Sequence, residues 1–234
     1  NPFILDASIS AGKWDKYISD SSWYGNTGVR TLYPVNINGN RYLTGTIHPK
    51  KSIELKRKNT IELDATYLFR LSRNPQYINA VLNIDNSILH NPEFNFLYRH
   101  KDIAALKLVK GWFVYNSKQK GFNDNQLKSI TNYIRWIAAI QLPKNLYWNT
   151  NITYNKNTSN NTSAIYYTIW NAAVSYRFLK GNSGEIKFEA LDLLRQNKGI
   201  INTSTANTQV FTTSNVLQNY FMLTLSFYPR KFGK

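Results

Sequence analysis

Glu185 and Glu189 flank Lys187 in the run G-N-S-G-E-I-K-F-E-A-L, with one residue between each pair. Two carboxylates on one strand face could share acid–base work. With a cation between them they read instead as a charge ladder on a sheet wall, and no catalysis is expected from them. His48, His90 and His100 show no ligand spacing and read as surface histidines near strand ends. No Ser/His/Asp set, Gly-rich phosphate loop or metal motif occurs. The chain has no Cys, which removes disulfides and thiolate metal sites. The expectation is a protein that is not an enzyme and holds no cofactor.

Charge points to partners. Lys and Arg number 29 against 13 Asp and Glu, a net charge of +16, which attracts polyanions. The basic stretch Lys50, Lys51, Lys56, Arg57, Lys58 could grip nucleic acid. Its neighbouring aromatics fall in alternating segments, not in a compact base-reading surface. Anionic glycolipid at a membrane surface suits the charge better, and nucleic acid is not expected. The Asn-x-Ser/Thr triplets at Asn151, Asn157, Asn161 and Asn202 read as chance in an Asn- and Thr-rich chain.

The elements that must position these groups follow a period of two. From Asn215 to Tyr228, Phe221, Leu223, Leu225 and Phe227 share one strand face, and Met222, Thr224 and Ser226 the other. Tyr220 and Tyr228 stand at the ends. The run is close to the ~9–11 residues that a tilted strand needs to cross a bilayer, and aromatic ends with one greasy face describe a membrane barrel strand. Earlier runs repeat the plan: Phe3 to Ala11, Val29 to Ile37, Ile61 to Leu71, Ile78 to Ile84, Phe94 to Tyr98, Ile130 to Leu142, Leu146 to Tyr154, Tyr166 to Phe178 and Ile186 to Ala190. The run from Ile103 to Tyr115 carries Lys107 and Lys110 on opposite faces, which predicts a bulge. Asn38-Gly39 predicts a hairpin turn with Arg41 to Ile47 as return strand, and Arg73-Asn74-Pro75 a second turn. Residues 14–28 read as a loop, and residues 49–59 as a basic connection of open structure.

Connections in the second half alternate in length. Residues 143–144 and 180–184 are tight, while 118–125, 157–163 and 195–214 are long, as in outer-membrane barrels with short periplasmic turns and longer external loops. The mean hydropathy of −0.43 is compatible with such a barrel, whose strands are apolar only at every second position. The total is about eleven or twelve strands with no good helix.

From Trp170 the chain reads W-N-A-A-V-S-Y-R-F-L-K-G-N-S-G-E-I-K-F-E-A-L-D-L-L-R-Q-N-K-G-I, and it closes with N-V-L-Q-N-Y-F-M-L-T-L-S-F-Y-P-R-K-F-G-K. These segments resemble the C-terminal end of outer-membrane β-barrel proteins of Bacteroidota, the TonB-dependent-receptor-like family. A "D-L-L-x-Q-N" segment and a final "Y-F-M-L-x-L-x-Y" strand recur there. The resemblance implies a bacterial outer-membrane location and uptake of a bulky nutrient or a structural place in an envelope complex. It also implies the TonB system and a surface lipoprotein as partners. Family members carry a regulatory-like domain and a plug before a barrel of about 22 strands. Neither is read in these residues.

The expected fold class is all-β, an antiparallel up-and-down transmembrane barrel. Residues 1–234 form one domain that corresponds to the C-terminal half of a larger barrel, completed by strands N-terminal to residue 1. The chain starts Asn-Pro-Phe without a signal peptide, which fits a processed protein or a fragment. Asn149, Asn151, Asn171, Arg177, Glu185, Lys187 and Glu189 are the expected lumen-facing residues. Two alternatives stay open: a soluble β-sandwich that binds glycans, and a complete barrel of about twelve strands.

Overall fold

The computed structural model describes residues 3–27, 29–121, 124–160, 162–197, 200–204, 209–213 and 216–229. The chain is almost entirely strand: β1 (Phe3–Trp14), β2 (Tyr17–Tyr24), β3 (Arg30–Ile37), β4 (Asn40–Leu55), β5 (Asn59–Ile78), β6 (Val81–His100) and β7 (Ala104–Lys120). There follow β8 (Asn125–Leu142), β9 (Leu146–Ser159), β10 (Thr162–Phe178), β11 (Gly184–Leu191), β12 (Ile200–Ser204), β13 (Gln209–Thr213) and β14 (Tyr220–Phe227). Among the described residues no helix is long and apolar enough to cross a membrane, which says nothing of strands.

One 12-stranded sheet holds the molecule together, in the order β1-β4-β5-β6-β7-β8-β9-β10-β11-β14. Every ladder on this path is antiparallel. The β2–β3 hairpin hangs on the end of β5 through a parallel pairing at Ser21–Tyr77 and Ser22–Ile78. β12 and β13 pair only with each other. The sheet is not closed: β1 and β14 are its two edges. Substantial contacts join only strands that share a ladder, so among the described residues no second layer covers either face.

Register places a single set of side chains on each face. Leu223 lies opposite Phe188, Phe188 opposite Val174, Val174 opposite Trp148 and Trp148 opposite Ile140. On the other side Ala7 faces Ile47 and Ile47 faces Tyr67. This face is apolar from β1 to β14 and stays uncovered. Leu223 is 68% exposed and Ile9 74%.

Several turns fall elsewhere than the sequence predicts. Asn38-Gly39 does turn, with Gly39 at φ 85, but it joins two different ladders: β3 returns on β2, and β4 on β1 and β5. Residues 17–24, expected as loop, are therefore strand β2. Arg73-Asn74-Pro75 lies inside β5, and the chain reverses instead at Asn79 and Ala80, at φ 46 and 63. Residues 49–59 are the end of β4, a 3-10 turn at Lys56–Lys58 and the start of β5. No bulge breaks β7, which keeps one register against both neighbours. Instead Lys110 bends along the apolar face to Asn132 Oδ1 and lies 4.6 Å over the Trp112 ring, the snorkelling of a long cation. The irregularity in the described ladders lies between Thr162 and Ile165. The expected loop 157–163 shrinks to a hairpin tip between β9 and β10. Asn161, Phe122-Asn123 and, within the expected loop 195–214, residues 198–199, 205–208 and 214 lie outside the described residues; 200–204 and 209–213 of that loop pair as β12 and β13.

Candidate functional site

The second face of the sheet collects the polar groups. All seven residues expected in a lumen lie on it in register: Asn171 opposite Asn151, Arg177 opposite Glu185, and Ala173 between Asn149 and Glu189. So do Asp6, Glu54, Glu62, Asp64, Asp85 and Glu93. Every carboxylate on the ten strands of the path thus faces the same way. Two positions along a strand separate like-facing side chains, and the sequence keeps acids off the apolar parity throughout.

In β9–β11 the groups pair locally. Arg177 Nε donates to Glu185 Oε2 (2.7 Å), and its guanidinium sits 4.6 Å over the Tyr147 ring. Lys187 Nζ lies 2.7 Å from Glu189 Oε1. Each carboxylate so has its own cation, which makes a ladder of ion pairs and leaves neither Glu as a free acid–base group. Asn171 Oδ1 accepts from the Asp192 backbone N–H (2.9 Å), and Thr153 Oγ1 donates to Asn151 Oδ1 (3.2 Å). Asn149, Asn151, Asn171, Lys187 and Glu189 line a hollow of about 240 Å³. Its amides and charges can hydrogen-bond a neutral polar ligand from several sides.

A longer network spans β1 to β8, and sequence reasoning missed it. His48 stands in mid-β4, not at a strand end, with Nε2 donating to Asp64 Oδ2 (2.6 Å) and Nδ1 3.9 Å from Asp6 Oδ2. Asn95 Nδ2 donates to Asp64 Oδ1 (3.1 Å) and Glu93 Oε1 (2.9 Å), and Tyr133 donates to Glu93 Oε2. Tyr133 reaches β6 from β8 by lying across Gly111 of β7. A Cβ on Gly111 would stand 2.3 Å from the Tyr133 ring. Beside this chain, Glu62 pairs with Lys50 (2.9 Å) and with Arg99. The pairing Gly111 opposite Tyr133 was the available signal, but it needs the register of β7 and β8 to be seen.

His90 is also in mid-strand, on the apolar face, with Nδ1 2.6 Å from the Tyr67 hydroxyl. His100 Nδ1 is 2.6 Å from Asn59 Oδ1. Among the described residues no group of His and carboxylates could hold a metal. Asn151 and Asn157 are strand residues of β9, and the backbone of Asn202 lies in β12.

Farther toward the β5–β6 tip, Asp85 and Ser117 are buried against each other and Ser72 Oγ meets Ser87 Oγ (2.6 Å). No family model, curated sequence or solved structure matches the chain.

Proposed function

We propose that this chain is the wall of a bacterial outer-membrane β-barrel, resembling the barrel part of TonB-dependent receptors, and serves uptake of a bulky nutrient. One observation carries the reading: a face without a single carboxylate, apolar in its middle but for His90, Lys110 and Asn132, runs uncovered across ten strands, while every acid of those strands lies on the other face. Hydrocarbon is the solvent that such a face requires, since a monomer in water rarely exposes apolar patches beyond a few hundred Å². The opposite face, with Asn149, Asn151, Asn171, Arg177, Glu185, Lys187 and Glu189, then lines the conduit. In a bilayer the free backbone groups of β1 and β14 need strand partners, so the wall belongs to a closed barrel, completed by further strands or by the meeting of its own edges. The turns at 56–58, 101–103, 143–145 and 179–183 lie at one end, and the two long connections, from β1 to β4 and from β11 to β14, leave from the other, so the first end would face the periplasm. The glycan-binding sandwich would need a second sheet on the apolar face, and the TonB system and a surface lipoprotein are the partners the resemblance suggests.

Tryptophan quenching by lipids brominated along the acyl chain tests the reading. Trp112, Trp136, Trp148 and Trp170 share the apolar face. Strong quenching of the reconstituted protein is expected, and its loss when these four are replaced by Phe. A protein that stays monodisperse and unquenched without detergent would overturn it.

A further inference from the structure

The apolar face ends in a row of cations. Lys13 pairs with Arg41, Arg41 with Arg73, Arg73 with Asn86 and Asn86 with Lys118, so one register line crosses β1, β4, β5, β6 and β7. The line two residues deeper holds Leu43, Leu71 and Ile88. From Arg41 to Lys118 the two lines wall a hollow of about 520 Å³ that is polar on one side and greasy on the other. Like charges directly opposite each other in a ladder are destabilising, and Arg41 faces Arg73. Among the described residues no carboxylate pairs with Arg41, Arg73 or Lys118; only Lys13 has one, Asp15 at 3.4 Å. Arg73 is held in place by donating from Nη1 to the Gly39 carbonyl (2.6 Å).

We infer that this row is a binding site for a phosphorylated glycolipid, with acyl chains on Leu43, Leu71 and Ile88 and phosphates on Arg41, Arg73 and Lys118. Three ladder steps separate Arg41 from Lys118, about 14 Å at ~4.8 Å per step. A single phosphodiester cannot meet both ends, whereas a disaccharide with a phosphate at each end can. Arg forks match phosphate oxygens two at a time, and Asn86 in the middle of the row can hydrogen-bond sugar hydroxyls. The site rests on the membrane reading, because only a bilayer presents acyl chains beside this face. It places the β5–β6 tip on the leaflet that carries the glycolipid.

Native mass spectrometry of the detergent-solubilised chain, titrated with diphosphoryl lipid A or phosphatidylglycerol, tests the site. Lipid A is expected to be retained at a concentration at least tenfold lower than phosphatidylglycerol. Arg41→Gln with Lys118→Gln should remove that preference while leaving Arg73 on Gly39; Lys107→Gln with Arg135→Gln, on the polar face, should leave it intact. Arg41→Lys with Lys118→Arg should keep most of it. Equal binding of the two lipids, an unchanged Arg41/Lys118 variant, or displacement by inorganic phosphate alone would overturn the inference. Quenching by brominated lipid is read on the same samples: intact quenching without lipid A preference sinks this site alone, and absent quenching sinks the membrane reading with it.

Discussion

On the polar side of β4–β8, hydrogen bonds link His48, Asp64, Asn95, Glu93 and Tyr133 into one chain across the sheet. In β9–β11, Arg177, Glu185, Lys187 and Glu189 each bond a close neighbour, and a hollow opens beside Lys187 and Glu189. The strands differ too: β5 and β6 run 20 residues each, β9 14 and β11 8. Both regions share one apolar face. A connected network fixes the spacing of the strands that carry it, since no member can move alone. Local ion pairs leave room for a ligand to exchange with them. The first region therefore reads as the stiff part of the sheet, and the second, under the proposed uptake function, as the part that would meet cargo.

The largest effect should come from the face they share. Under the proposed membrane reading, Leu223→Arg puts a charge into hydrocarbon, at a cost of about 2–4 kcal/mol near mid-membrane. Thr224→Arg, on the other face, should cost far less. Refolding yield in lipid vesicles measures both, and equal losses would place the register one residue out.

Next comes the crossing at Gly111. Gly111→Val drives Tyr133 off Glu93 and should cost about 1–3 kcal/mol, as overpacking does. Tyr133→Phe removes the same hydrogen bond without the clash. The double variant should then cost much less than the two single ones summed, because neighbours in one network are not additive. Full additivity in urea denaturation would show that Tyr133 does not tie β8 to β6.

In β9–β11, Lys187→Gln should shift the same midpoint by no more than about 1 kcal/mol, as a partly exposed pair does. A drop as large as that of Gly111→Val would erase the contrast between the regions.

Much of the wall was legible from residue order. Alternation alone separated the faces, and the seven polar residues assigned to one side share it. The tight connections at 143–144 and 180–184 were visible because Pro143 and Gly181 sit where strands end. The β4–β6 region misled because its turns lack such residues. Arg57, Lys58, Asn79 and Ala80 all take positive φ, a conformation usually left to Gly or Asn. Pro75, meanwhile, lies within β5 opposite Ile84. The network was out of reach for another reason. Its bonded partners stand 2 to 40 residues apart, and only the finished ladder brings the distant ones together.

The two-residue reversal at Asn79 and Ala80 joins the longest pair of strands, which stay in register over 20 consecutive pairs. Such a hairpin closes its loop at almost no entropic cost and can zip from the tip within microseconds, before any neighbour arrives. Each strand extends about 65 Å at ~3.3 Å per residue, roughly twice the ~30 Å hydrocarbon layer. Arg70, Arg73 and Asp85 lie in its half nearer the tip. If the sheet crosses a bilayer as proposed, that half must pass through the oily layer ahead of the rest during insertion. The kinetic bottleneck of assembly should therefore sit in this hairpin and not in the shorter ones, and a catalyst of insertion would act there first.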